Sequence, residues 1–305
     1  MTASWLRSGW SLAVFVPALL LAVVGSVAYL QRDLVLAHWH ARAILRSDGA
    51  DESLHWILKH RPLVLPIAAE ALHQDDSAAC RRAGGLIRTL LADYNDPTDP
   101  DAAQLSFVTM TRLRDSLPKL RPAARREALE AAHHVLRVHL ERWSPHLPTV
   151  LDSAGAVFLS SLEDEDLLVR EAALRKLPSL WPAIAVDSSA GPLVREWLRE
   201  AYLVAAHMMS SVEPGIRLAA GAACCHAPFS EYDAQLAMLL DDDDVAVRKG
   251  ALIALGNCKR NRLHGARKNL VLHWLADSDA DASTAAAKVL RLAGVPAYRV
   301  ELAAL

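Results

Sequence analysis

The sequence predicts an all-α chain in which an N-terminal transmembrane helix is followed by an α-solenoid of stacked helical pairs. One apolar run ends in leucines at Leu239 and Leu240 and turns on Asp241-Asp242-Asp243-Asp244. A second run then opens in which Val247, Ala251, Leu252 and Leu255 share a helical face. Such a pair has nothing of its own to cover that face, so neighbouring copies must supply the cover. The pattern also recurs: with Arg170 laid on Arg248, Leu162 falls on Leu240, Val169 on Val247, Ala173 on Ala251 and Leu177 on Leu255. Finally, 52% of the residues are hydrophobic but only 6% are aromatic, which suits close helix stacking, and no strand-type alternation runs along the chain.

Taken in order, residues 1–31 read as a short tail and membrane-spanning helix. Residues 9–30 carry no charge and are long enough as a helix to cross a hydrocarbon core of about 30 Å. Trp5, Trp10 and Tyr29 lie near the ends, where amphipathic rings favour the interface, and Arg7 and Arg32 flank the run. Ser26-Val27-Ala28 has the small-x-small form of a signal cleavage site. The run is longer than a usual signal core and continues into an apolar helical stretch at 34–45, which favours an uncleaved single-pass anchor. Counting arginines places the large domain inside; the short N-terminal tail favours its export, and the reading leans to the extracytoplasmic side.

Residues 32–51 read as a juxtamembrane helix and turn, and 52–305 as the solenoid, degenerate to about 150 and clearer over 151–294. Helices are expected over 52–59 and 66–73, with Pro62 and Pro66 marking the break between them. Residues 93–101, rich in Asp and Pro, read as a loop and candidate hinge. The proline pairs Pro118 and Pro122, Pro145 and Pro148, and Pro178 and Pro182 punctuate further junctions. Beyond the two best copies, Ile216-Arg217 with Ala220 and the Asp-rich turn before Ser283 and Ala286 continue the series. Upstream, Arg82 and Arg126 stand as degenerate copies. The resulting spacings are 44, 44, 47, 31 and 35 residues, in the range of helical-pair solenoids.

These residues resemble the HEAT repeat family, in which an Asp-containing turn is followed by Val-Arg and then small and aliphatic residues. The resemblance covers roughly residues 52–294 and is carried by 162–177 and 239–256. It implies an armadillo-like helical solenoid that serves as a scaffold, binding a protein partner along its surface. It also implies a structural ladder in which Arg170, Arg217 and Arg248 reach the turn acids Asp166, Glu213 and Asp244, often across neighbouring repeats. The turn aspartates can cap the second helix of each pair and favour its positive end.

The net charge of −2 gives no global attraction to nucleic acid. One local basic stretch, carrying Lys259, Arg260, Arg262, Arg267 and Lys268, is a candidate partner contact on a loop between repeats. No catalytic, cofactor or metal residues are assigned. His133, His134 and His139 lack further ligands at metal spacing, Cys224-Cys225-His226 has no second ligand pair, and no phosphate loop, nucleophile elbow or HExxH motif occurs. The repeated His-Glu dipeptides of HEAT-like iron hydroxylases are absent. A lyase-like HEAT enzyme or a structural subunit of a membrane complex are the alternatives to a scaffold. Cys80, Cys224, Cys225 and Cys258 read as small core residues rather than a disulfide framework.

Overall fold

The computed structural model describes residues 31–46, 51–92, 99–142, 144–180, 191–227, 232–257, 271–272, 274–275 and 279–292. The apolar run at 9–30, Cys258 and the basic stretch from Lys259 to Lys268 lie outside the described residues. Among the described residues no strand occurs, and no helix is long and apolar enough to cross a membrane.

The helices are α1 (31–46), α2 (Asp51–Lys59), α3 (Arg61–Ala71), α4 (Ser77–Ala92), α5 (Pro100–Ser116) and α6 (Pro122–Glu141), then α7 (Leu147–Val150) and α8 (Ala156–Leu162). They continue as α9 (Leu167–Lys176), α10 (Gly191–Met208), α11 (Pro214–Cys225), α12 (Asp233–Leu239), α13 (Val245–Asn257) and α14 (Ala280–Leu292). A π-helical turn, Leu151–Gly155, joins α7 to α8 without leaving helical backbone angles. The second helices α4, α6, α9, α11, α13 and α14 pack one on the next in a continuous row. The first helices α3, α5, the α7–α8 helix and α10 form a layer behind it. The chain is therefore an α-solenoid with a single hydrophobic core running between two layers.

Small residues set how closely the row packs. Ala83, Ala128, Ala173, Ala220, Ala251 and Ala286 hold the same place on six successive second helices, and all are buried. Gly84 and Gly250 allow close approach: a Cβ at Gly84 would run into the Glu127 side chain of α6, and one at Gly250 into Leu218 of α11. The first helices α3, α5, α7–α8 and α10 each end on a buried apolar residue, Leu72, Leu117, Leu162 and Met209, and Leu240 does the same after α12. In the other layer, a Cβ on Gly155 would lie 2.8 Å from Trp197 Nε1 of α10, so the π turn and the indole are packed in direct contact.

The break expected around Pro66 is absent. Helix α3 begins at Arg61 with Pro62 in its first turn, and Pro66 lies inside it. Pro66 removes one backbone donor, but burial of Val64, Leu65, Ile67, Ala68 and Ala71 along the same helix outweighs that loss. The break that the sequence places between residues 59 and 66 is confined to His60, six residues before Pro66. There a stack of rings ties α1 to α2: Trp39 meets His40 edge-on at 4.7 Å, His40 stacks on Trp56 at 4.6 Å, and Trp56 stacks on His60 at 3.9 Å. His60 Nδ1 donates to the Trp56 carbonyl at 2.9 Å, closing the helix end.

Leu255 is buried in the core between α13 and its neighbours. Leu255→Asp is expected to lower stability by more than about 3 kcal/mol and to melt the C-terminal repeats first. A thermal melt identical to the parent would show that the register is wrong.

Candidate binding surface

The turn between first and second helix is rebuilt in each repeat from the same backbone demands. A second helix opens with unpaired N–H groups, and an aspartate just before it accepts from them. Asp166 accepts from Leu168 and Val169 at 3.0 and 3.2 Å, Asp244 from Ala246 and Val247 at 2.7 and 3.2 Å, and Asp279 from Asp281 and Ala282 at 2.9 and 3.1 Å. Asp76 accepts from Ala78 at 2.8 Å. Where the cap residue is Arg121 or Glu213, no side-chain cap forms, and proline takes the first turn at Pro122 and Pro214. Proline suits that place because its missing N–H would have had no partner.

Four residues after the cap, one position on each second helix holds the turn together. It is occupied by Cys80, Arg125, Arg170, Arg217, Arg248 and Ser283, each three residues before one of the buried alanines. Five of the six are bonded to carbonyls of their own turn. Arg125 donates to Leu120 at 2.9 Å, Arg217 to Ser211 and Val212 at 2.8 and 3.1 Å, and Arg248 to Asp242 and Asp243 at 2.6 and 3.1 Å. The shorter residues do the same: Ser283 Oγ donates to Leu275 at 2.9 Å, and Cys80 Sγ lies 3.4 Å from the Gln74 carbonyl. The upstream copies thus sit on Cys80 and Arg125 rather than on Arg82 and Arg126. Arg126 is exposed, one helical step off the face that Arg125 buries.

The acids these arginines reach belong to the next turn. Arg217 grips Asp242 with both sides of its guanidinium, Nε to Oδ2 at 2.7 Å and Nη2 to Oδ1 at 2.8 Å. Arg125 Nη2 donates to Asp164 at 3.0 Å and to Glu165 at 3.1 Å. Glu213 does not take part in the Arg217 fork, and Asp166 and Asp244 are spent on capping. The Arg217 fork holds the Asp242 carboxyl below the usual carboxylate range, with the Asp244 N–H adding to it. Asp164 and Asp242 also accept from the backbone at Asp166 and Asp244, at 2.8 and 2.9 Å. In the intervening repeat this place is Ser211, whose Oγ accepts from Glu213 N at 3.3 Å but offers no carboxylate. Arg170, which faces that repeat, keeps a buried Nε with no hydrogen-bond partner. Arg248 also meets an aromatic face, its guanidinium 5.4 Å from the centre of the Trp274 ring.

Lateral ties cross the row beyond the turns. Arg88 pairs with Glu127 at 2.6 Å, Lys176 with Glu130 at 2.8 Å, and Lys249 with Asp279 and Asp281 at 3.2 and 3.0 Å. His133 of α6 meets Ser179 at 2.6 Å. Burial, with Lys176 nearby, holds the His133 imidazole down to about 4, and burial does the same at His139. Between these ties the surface carries exposed aliphatic side chains on three successive repeats: Leu167 and Leu168, Val212, and Val245 with Ile253. The sequence does not separate these from core positions, because an aliphatic at a helix start or in a turn carries the same letter whichever way it points.

A concavity of about 440 Å³ lies among α1, α3 and α5, lined in part by His38, Pro66, Glu70, His73 and Arg112. Among the described residues no three His, Cys, Asp or Glu side chains are placed to hold a metal ion. Cys80, Cys224 and Cys225 are buried.

No protein-family model matches the sequence, and no curated protein matches it at a significant level. Among solved structures, an engineered protein is similar over 86% of this chain and 68% of its own, at 18% identity and a TM-score of 0.47. A designed armadillo repeat protein in complex with the peptide (KR)4 is similar over 75% of this chain and 98% of its own, at 15% identity and a TM-score of 0.45. The assignment as a helical-repeat solenoid rests on this chain's own helix contacts.

Two outcomes are expected. Ser211→Asp should supply the missing acid to Arg170 and raise stability by about 1 kcal/mol. Arg170→Gln should cancel that gain in a double-mutant cycle read by chemical denaturation. His133 and His139 stay neutral in the folded chain but protonate near 6.5 when unfolded. The unfolded state therefore takes up more protons as pH falls, and stability should be full above about 6.5 and decline toward pH 4. His139→Leu should flatten part of that decline, measured as the denaturation midpoint at neutral and at acid pH.

Proposed function

We propose that this chain is a HEAT-type repeat scaffold that holds a protein partner along the edge formed by its inter-helix turns and second helices. The supporting observation is the run of exposed aliphatics, Leu168 at 59%, Val212 at 88% and Ile253 at 50%, beside the Arg217–Asp242 fork. Solvated turns are normally polar, whereas apolar groups repeated on neighbouring units are what a protein surface buries on binding. Arg217 and Arg248 are spent on turn carbonyls, and Arg217 on Asp242 as well, so they serve to hold the edge in shape. The mechanism is display: stacking fixes the spacing of the aliphatics, and a partner reads that spacing.

Residues 9–30 anchor this scaffold as a single pass, raising the local concentration of whatever it recruits at the membrane. The domain lies on the extracytoplasmic side in this reading. Lys259, Arg260, Arg262, Arg267 and Lys268 offer a further contact to an acidic partner.

A photo-cross-linking residue placed at Val212 or Ile253 in cells should capture one defined protein, while the same residue at Glu196 on the opposite layer should not. Leu168→Glu combined with Val212→Glu should abolish capture and leave the melt unchanged. Equal capture from both layers would refute the turn-edge reading.

A further inference from the structure

Helix α1 is two-faced in an unusual way. Its inner face is small and aliphatic, with Ala37, Ala41 and Leu45 buried in the core. It is locked there by His40 against Ser53 at 3.1 Å and by Arg82 Nε donating to the Leu45 carbonyl at 2.5 Å. The outer face carries Val35 and Trp39, 64% and 63% exposed, together with exposed Arg42 and Arg46. At 100° per residue these four fall within about 60° of one another, and exposed Arg32 joins them. No carboxylate lies on this stripe. The one acid of α1, Asp33, sits on the flank and is paired with Arg32 at 3.4 Å. A shallow concavity of about 490 Å³ runs along it between Val35, Trp39, Arg42 and Arg46.

The end of a solenoid is normally closed by a polar face that keeps it soluble. Here that end shows an indole, a valine and guanidinium groups in one line, starting at the residue after the uncharged run 9–30. We propose that the outer face of α1 is a membrane-surface contact that lies along the headgroup layer and binds anionic phospholipid. An indole favours that layer because its body is apolar and its N–H is polar. Guanidinium groups form bidentate hydrogen bonds with phosphate and are attracted to any leaflet that carries anionic headgroups. Because the inner face is fixed to α2 and α4, this contact orients the whole solenoid relative to the bilayer. The inference deepens the membrane-anchored reading and rests on it for the nearness of lipid.

The test uses the full chain reconstituted in vesicles of zwitterionic lipid, with or without phosphatidylserine, and with brominated acyl chains as a short-range quencher. The difference between the parent and Trp39→Phe isolates the emission of Trp39. It should be quenched in the phosphatidylserine vesicles and largely unquenched without them. Arg42→Gln with Arg46→Gln keeps Trp39 and should lose the quenching, each arginine lowering the docked-to-undocked ratio roughly five-fold. Both sites are exposed, so the melt should not move. If the chain resists alkaline extraction but Trp39 is unquenched in both vesicles, the contact is overturned and the anchor stands. Equal quenching in both would overturn recognition of anionic lipid. If alkali strips the chain, the anchor fails, and quenching before extraction still decides the contact.

Discussion

Everything in this molecule depends on one constraint: a helical pair with a single apolar face is stable only when another pair covers it. The six alanines from Ala83 to Ala286 meet that demand at the same place in each repeat, all of them buried. Alanine there brings second helices close at almost no side-chain entropy cost, and the larger leucines then fill the space between layers. Once the row is packed, the turns are forced into register, and the rest of the surface is built on that register.

The arginine position illustrates how a buried backbone demand becomes a shape. Each turn leaves carbonyls pointing inward, and the side chain four residues past the cap must satisfy them. Arginine does so and has donors left over, which is why Arg125 and Arg217 also clasp the next repeat's aspartate. Ser283 and Cys80 satisfy the carbonyl with a single short donor and make no such reach. The clasp is therefore an addition to the turn, present where an acid stands opposite and missing at Ser211. Two junctions, at Arg125 and Arg217, are tied in this way.

The first helix departs from that plan. Its inner face obeys the packing rule, whereas its outer face spends an indole and several guanidinium groups on solvent. A terminal helix covers the last apolar face of a stack, so its outward side is released from the packing constraint and open to another role. The ring stack from Trp39 to His60 then makes α1 a fixed part of the first repeat rather than a loose arm.

By itself the sequence determined the all-α class, the helical pairs from residue 162 onward and the capping aspartates Asp166 and Asp244, because helical periodicity and cap chemistry are local. It also marked Arg170, Arg217, Arg248 and Ser283 as one position, since turn and helix there recur within a short window. Only the tertiary structure decided that the series continues upstream on Cys80 and Arg125. A helix spreads neighbouring residues over different faces, and without a turn signature a one- or two-residue slip looks the same in one dimension. Tertiary structure likewise decided that Arg217 answers to Asp242 and not to Glu213, and that Arg170 is left without an acid. Those pairings join residues 25 to 39 apart in the chain. Their geometry depends on how one repeat seats on the next, which no single repeat contains.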